Sequence, residues 1–202
     1  MPEKETGMRG KREALINASL ELFIEKGYEG TVIRSITRKA GCEVGLFYYY
    51  FKSKDEVFDL AISRFIENYR PGFEELLREG RENPKQLLSS FFSYVAELAE
   101  QFRVKYEPQM HWTVRQAIHR QTLELMKSYL EQGLQIMLDE GLPKPSIALP
   151  VLVTILAHGI GNVVIYMDRD DYAANFLELK KAVYLLLGSP ENAPEEILKL
   201  VK

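Results

Sequence analysis

Only one cysteine, Cys42, stands among the 202 residues, which excludes an intramolecular disulfide and any cysteine-rich zinc site. It falls between two short helical patterns, with no resolving thiol, and reads as a small packing residue. No stretch alternates apolar and polar residues with β-branched enrichment, so strands are not expected. Met1 to Gly10 lack an apolar run behind a basic start, and are expected to form a flexible polar arm rather than a secretory leader. There is no internal repeat, low-complexity tract, Ser/His/Asp grouping, phosphate-cradling glycine loop or deaminase signature. No cofactor is therefore implied. Histidines number three, His111, His119 and His158. Glu107 and His111 share one helix face at i, i+4, but no motif supplies further ligands, so no metal is expected.

What is present is ordinary for a globular chain: 46% hydrophobic and 27% charged residues. The formal net charge of −3 hides an asymmetry. Residues 1–54 carry 10 Lys/Arg against 7 Asp/Glu, a balance of +3, whereas residues 55–202 carry 16 against 22, a balance of −6. The amino-terminal segment is thus the candidate for phosphate contact.

Helical periodicity runs from end to end and predicts an all-α protein of about nine helices. A first helix spans about Lys11 to Lys26, with Leu15, Ile16, Ala18, Leu22 and Phe23 on one side and Gly27 as its stop. Thr31 is expected to cap a second helix ending near Ala40, and Val44 to Phe51 forms a third. Ser53 and Glu56 have capping-box spacing at the start of a fourth, Lys54 to Arg70, which Pro71-Gly72 must kink or end before Phe73 to Glu79 resume. Asn83-Pro84 opens a fifth, a sixth begins near Pro108, and a seventh covers Ile118 to Leu138. Ser146 to Met167 and Tyr172 to Leu187 are the last long helices, followed by a short one fenced by Pro190 and Pro194.

Residues 31–51 have the proportions of a helix-turn-helix. In its first helix Val32, Ile33, Ile36 and Ala40 share one side, and Arg34 and Arg38 the other. In its second helix Phe47 and Phe51 face inward, leaving Val44, Gly45, Tyr48 and Tyr49 outward. Four consecutive aromatics, Phe47-Tyr48-Tyr49-Tyr50, cannot all be buried in so short a helix, and phosphate oxygens accept hydrogen bonds from tyrosine.

The run Ala40-Gly41-Cys42-Glu43-Val44-Gly45-Leu46-Phe47-Tyr48-Tyr49-Tyr50-Phe51-Lys52-Ser53-Lys54-Asp55-Glu56 resembles the signature of the tetracycline-repressor (TetR) family. Leu22-Phe23, Lys26-Gly27-Tyr28, Thr31 and Ile36 also stand where that pattern wants them. The resemblance implies a three-helix DNA-binding domain over residues 1–54 and a larger helical ligand-binding and dimerisation domain over 55–202. It implies that Val44 to Tyr50, including Gly45, Leu46, Tyr48 and Tyr49, lies in the major groove. Arg34 would then reach a base edge or phosphate, while Thr31, Tyr48, Tyr49 and Lys54 hold the DNA backbone. Leu46 stands where the family usually has Thr or Ser, Glu43 where Ser is frequent, and Thr37 where Ala is frequent, so no operator sequence carries over.

The 21 residues Ile147 to Met167 lack any charge and meet the length of a membrane span, but Pro150, His158, Gly159, Gly161 and Asn162 interrupt them. A buried helix is the expected reading. By the resemblance, this helix and Tyr172 to Leu187 pair with their copies across a two-fold axis, through Leu152, Ile155, Leu156, Gly159, Ile160, Val163, Phe176 and Val183. Tyr94, Phe102, Tyr106, Met110, His111, Trp112, Met126 and Tyr129 form the expected pocket for a small apolar or aromatic ligand, although such a set also suits a filled core. The expected protein is a ligand-responsive repressor in the cytoplasm of a bacterial or archaeal cell. It would bind a pseudo-palindromic duplex operator as a homodimer, without a membrane partner, and be released by the ligand. A competing expectation, a helical enzyme acting on a small apolar substrate at His111/Trp112, predicts turnover instead of stoichiometric binding. A third, a protein-interaction module, predicts no salt-dependent DNA affinity.

Overall fold

The computed structural model describes residues 2–106, 109–141, 145, 147–166 and 169–187, and all of the regular structure among them is helical. The helices are α1 (Pro2–Gly30), α2 (Ile33–Lys39), α3 (Val44–Tyr50), α4 (Lys54–Glu67), α5 (Arg70–Glu82), α6 (Pro84–Tyr106), α7 (Trp112–Asp139), α8 (Leu149–Tyr166) and α9 (Arg169–Leu186). They form two compact units, Met1–Asn68 with Arg103–Gln121, and Tyr69–Phe102 with Thr122–Lys202.

In the first unit the apolar stripe of α1 meets those of α2 and α4, and α3 packs on α2. Leu15, Ile16, Phe23, Ile36, Phe47, Phe51, Val57 and Ile62 are all essentially inaccessible. Fully burying a side chain of this size is worth about 1.5–3 kcal/mol, so this cluster dominates the unit's stability. At the rim of the cluster, the guanidinium of Arg64 on α4 forms a two-pronged pair with the Glu13 carboxylate on α1.

α1 does not run straight to its end: Gly27 takes φ 71° and ψ 176° and kinks it. In an unbroken helix the Ile24 carbonyl would accept from the Tyr28 N–H. Here the backbone N–H of His111 donates to Ile24 O at 2.9 Å, and Tyr28 N–H donates to Thr113 Oγ1 at 3.4 Å. The start of α7 therefore supplies both partners that the kink removes. A side chain at Gly27 has no room, because a Cβ there would lie 2.3 Å from His111 Nδ1.

α2 ends in a Schellman motif. Gly41 at φ 63° lets Cys42 N–H donate to Thr37 O (2.9 Å) and Gly41 N–H to Arg38 O (3.3 Å). Ser53 caps α4 as its spacing predicts, accepting from Glu56 N–H at 3.2 Å. The Glu56 carboxylate reaches back to Lys52 N–H at 2.7 Å.

The second unit holds α5, most of α6 and α7, and the α8–α9 pair. Gly72 fits beneath Tyr94, whose hydroxyl donates to Tyr69 O at 3.2 Å. Phe73 stacks on Tyr129 with ring centres 5.2 Å apart. α8 is long and apolar enough to cross a membrane, with mean hydropathy 1.8, yet Leu152, Leu156, Ile160 and Ile165 are buried inside the unit.

Four sequence expectations are corrected. Residues 2–10 continue α1 instead of forming an arm, since Glu3, Lys4, Glu5, Met8 and Arg9 are good helix formers. The N-cap of α2 is Val32, not Thr31, whose hydroxyl is turned inward. The expected sixth and seventh helices are one 28-residue helix, α7, because Trp112 to Ala117 contain no glycine or proline to divide it. α8 begins at Leu149, with Pro150 in its first turn where a missing N–H costs nothing. The helix expected near Pro190 and Pro194 lies outside the described residues.

Gly27→Ala should lower unfolding stability by about 2 kcal/mol or more, combining the left-handed backbone cost with the collision against His111. Gly10→Ala, where a Cβ meets nothing within 4 Å, should be neutral or stabilising by up to about 1 kcal/mol. Urea unfolding of the two variants beside the parent chain tests the difference, and equal midpoints would refute the role given to Gly27.

Candidate nucleic-acid interface

α3 has seven residues and one buried side, formed by Phe47 and continued by Phe51 just past its end. At 100° per residue this leaves Gly45, Tyr48 and Tyr49 on the opposite side, and all three are exposed, the tyrosines at 57% and 67%. Tyr49 is held edge-on to Tyr50 at 5.0 Å, and Tyr48 edge-on to buried Phe47 at 5.5 Å. The two outward rings are thus braced by their neighbours. Val44, Leu46 and Tyr50 are half-buried at the flanks.

On α2, Arg34 and Arg38 are both exposed and one turn apart, so they share a face. Lys39 beside them pairs with Glu21 of α1 at 2.8 Å. The turn between α2 and α3 is tied down from below by Lys11, whose ammonium donates to Gly41 O at 3.1 Å. Arg38 and exposed Lys52 extend the cationic surface beyond the residues expected from sequence. The i, i+4 spacing of Arg38 from Arg34 is the signal that identifies it.

Two expected backbone-holding residues turn inward. Thr31 is fully buried, and its hydroxyl donates to Gly27 O (2.8 Å) and, at longer range, to Leu22 O (3.1 Å). It reinforces the α1 kink. The Lys54 ammonium donates to Tyr28 O (2.8 Å) and Thr31 O (3.1 Å) and lies 4.0 Å from the Tyr28 ring centre. The same ring donates its hydroxyl to the Asp55 carboxylate, and that hydrogen bond, followed by burial and by the Asp55 charge, pushes the phenol up to about 12.

The expected pocket residues divide between the two units. Tyr106, Met110, His111 and Trp112 belong to the first. There Tyr106 packs edge-on to Phe65 at 5.1 Å, Met110 is buried, and His111 Nδ1 lies 2.8 Å from Thr113 Oγ1 against the kink. Trp112 is 65% exposed. Tyr94, Phe102, Met126 and Tyr129 belong to the second unit, where an apolar cavity of about 30 Å³ lies among Phe73, Leu77, Leu87, Phe91, Leu134 and Met137. Tyr129 alone of the expected residues lines it. Its hydroxyl sits 3.2 Å from Arg70 Nη1 and 3.5 Å from Glu74 Oε1.

Of the expected interface residues, Leu152, Leu156, Ile160, Phe176 and Val183 are buried within their own chain. Gly159 and Val163 are half-buried, and Gly159 gives Leu179 of α9 room at 3.5 Å. Ile155 is 46% exposed and belongs to a stripe without ionic groups, Val151, Ile155, His158, Asn162 and Tyr166.

Residues 15–61 match the family model described as bacterial regulatory proteins, tetR family. The chain is 25% identical over 190 residues to the uncharacterized HTH-type transcriptional regulator YerO of Bacillus subtilis, covering 85% of this chain and 63% of that relative's length. Its fold is similar to that of RolR in complex with resorcinol, with TM-score 0.64 and 15% identity over 96% of this chain and 94% of the other. It is also similar to FadR from Bacillus subtilis in complex with stearoyl-CoA, with TM-score 0.53 and 22% identity over 87% and 97%.

The raised phenol fixes a pH window. Because folding lifts the Tyr28 ionisation from 10.0 to about 12, the stability it adds is complete below pH 10 and is lost as pH rises through about 12. Tyr28→Phe should therefore be less stable than the parent below pH 10, with the gap closing by pH 12. Denaturant midpoints at pH 8, 10 and 12 check this, and a gap unchanged over that range would remove the Tyr28–Asp55 bond from the account.

Proposed function

We propose, from the premise that the chain belongs to the tetR family of bacterial regulatory proteins, that it is a cytoplasmic, ligand-responsive transcriptional repressor acting on duplex DNA as a homodimer. The observation that carries this reading is the outward pair Tyr48 and Tyr49 on a helix whose other side is sealed by Phe47, beside the exposed Arg34 and Arg38. Rings this large in water have little reason to be held there unless something docks on them, and hydroxyl and guanidinium groups together suit phosphate and base edges.

The sensor half of the reading rests on the apolar cavity. Its present volume is about that of one water, so a ligand must part α5, α6 and α7 to enter. A molecule that binds only the parted arrangement shifts the equilibrium by its full differential affinity, which is the physical requirement for a switch. The walls suit an aliphatic or aromatic body. RolR is bound to resorcinol and FadR to stearoyl-CoA in their structures, which supports a ligand with apolar surface here. α7 contributes Tyr129 to Met137 to the cavity wall, while its first residues hold the kink of α1. It is the element through which a ligand would act.

Fluorescence anisotropy with duplexes from the DNA flanking the gene tests both halves. Specific binding should weaken steeply with salt, by a slope of about −0.9 per phosphate contacted. Arg38→Ala should reduce that slope by about one contact, and Arg34→Ala should cost about 1–3 kcal/mol on the preferred site. Tyr49→Ala should weaken every duplex alike. An apolar compound that binds saturably should lower DNA affinity, and the duplex should lower the compound's affinity by the same factor. Salt-independent binding, or none, would refute the reading.

The dimer rests on the uncharged α8 stripe. Ile155→Asp should give a folded monomer by sedimentation, because Ile155 is exposed in the single chain. Ile160→Asp should instead unfold the second unit, because it buries a charge with no partner. A parent chain that sediments as a monomer at micromolar concentration would overturn the homodimer.

A further inference from the structure

Between Glu29 and Asp55 the chain carries five cations, Arg34, Arg38, Lys39, Lys52 and Lys54, and a single acidic side chain, Glu43. Glu43 occupies the N-cap position of α3 without capping it. The helix start is closed by the backbone instead, with Leu46 N–H donating to Glu43 O at 3.0 Å. Ser53 shows the contrast, since its hydroxyl does cap α4. The Glu43 side chain is exposed and makes no hydrogen bond or ion pair among the described residues.

The backbone that carries this free carboxylate is rigid. The Schellman bonds of Gly41 and Cys42 fix it on one side, the Lys11 ammonium holds Gly41 O, and Phe47 is buried four residues later. Glu43 thus projects from a fixed point at the leading end of the helix that exposes Gly45, Tyr48 and Tyr49. On a surface that docks against phosphates, a lone carboxylate repels the partner and weakens every complex in which it finds no donor.

The major groove offers two kinds of amino donor. Adenine presents N6 beside the acceptor N7 of its own ring, which turns a carboxylate away, whereas cytosine presents N4 with no acceptor on its own major-groove edge. We propose that Glu43 is a specificity-determining residue that accepts a hydrogen bond from the N4 amino group of a cytosine in the bound duplex. The same charge rejects duplexes that place another base there. This inference rests on the reading of α3 as the DNA-contacting helix.

The test is selection from a randomised duplex library by the full-length chain and by its Glu43→Gln and Glu43→Ala variants. Neither variant removes a contact within the fold, and thermal unfolding should be unchanged in both. The parent should enrich cytosine at one position of each half-site, on the order of 5- to 150-fold over other bases. Glu43→Gln should shift that position toward adenine, whose N6 and N7 together match an amide. Glu43→Ala should lose the preference there, keep the remaining positions, and bind random duplex more tightly than the parent does. The same consensus from all three proteins would overturn the assignment of Glu43 while leaving DNA binding in place. Failure of the parent to enrich any duplex would overturn both readings together.

Discussion

At Gly27 the chain does something no other residue type permits: it bends a helix into the left-handed region while a histidine ring fills the space where a side chain would stand. Everything in the first unit is arranged around that bend. The carbonyl freed at Ile24 and the N–H freed at Tyr28 are taken by His111 and Thr113, and the Gly27 carbonyl is taken by Thr31. From Tyr28 the ties continue through Lys54 and Asp55 to the start of α4. Backbone groups left unpaired at a buried kink would cost about 1–3 kcal/mol each, so these ties make the bend tolerable and set the direction in which α2 departs.

The division of labour among four consecutive aromatics follows from helix geometry alone. Phe47 is the one whose direction coincides with the core, and it has no hydroxyl to satisfy there. Tyr48 and Tyr49, about 100° and 200° of helix rotation past Phe47, both point away from the core and carry hydroxyls that need water or a partner. Sequence chemistry and position agree at each of these residues. Such agreement is what lets a helix of only seven residues hold a defined orientation.

Much of this was legible beforehand. The apolar spacing of Leu15 to Phe23, the glycine at Gly41, the Ser53–Glu56 box and the split of Phe47 from Tyr48 and Tyr49 are local patterns, and local rules identify them. What escaped was long-range. That Thr31 turns inward depends on carbonyls four and nine residues back across a kink, and that His111 serves α1 depends on a contact spanning 84 residues. Hydrophobicity identifies α8 and α9 but does not tell which side each apolar residue takes: Leu152 and Ile160, expected at a dimer interface, are buried within their own chain. Composition groups the aromatic and sulfur-bearing residues of 94–129 as one pocket or one filled core, and does not reveal that Trp112 faces water while Tyr129 lines the cavity.

The inclusion of residues 103–121 in the first unit bears on how the protein is made. A nascent chain that has just delivered Asn68 to the ribosome exit holds all of α1 to α4 but lacks the segment that completes the bend at Gly27. At about 5–20 residues per second, the 53 residues from Asn68 to Gln121 take roughly 3–10 seconds longer to emerge. Through that interval the partners that His111 and Thr113 give to Ile24 O and Tyr28 N–H do not yet exist. The amino-terminal unit is therefore begun first but completed late, when the helix it shares with its neighbour has been synthesised.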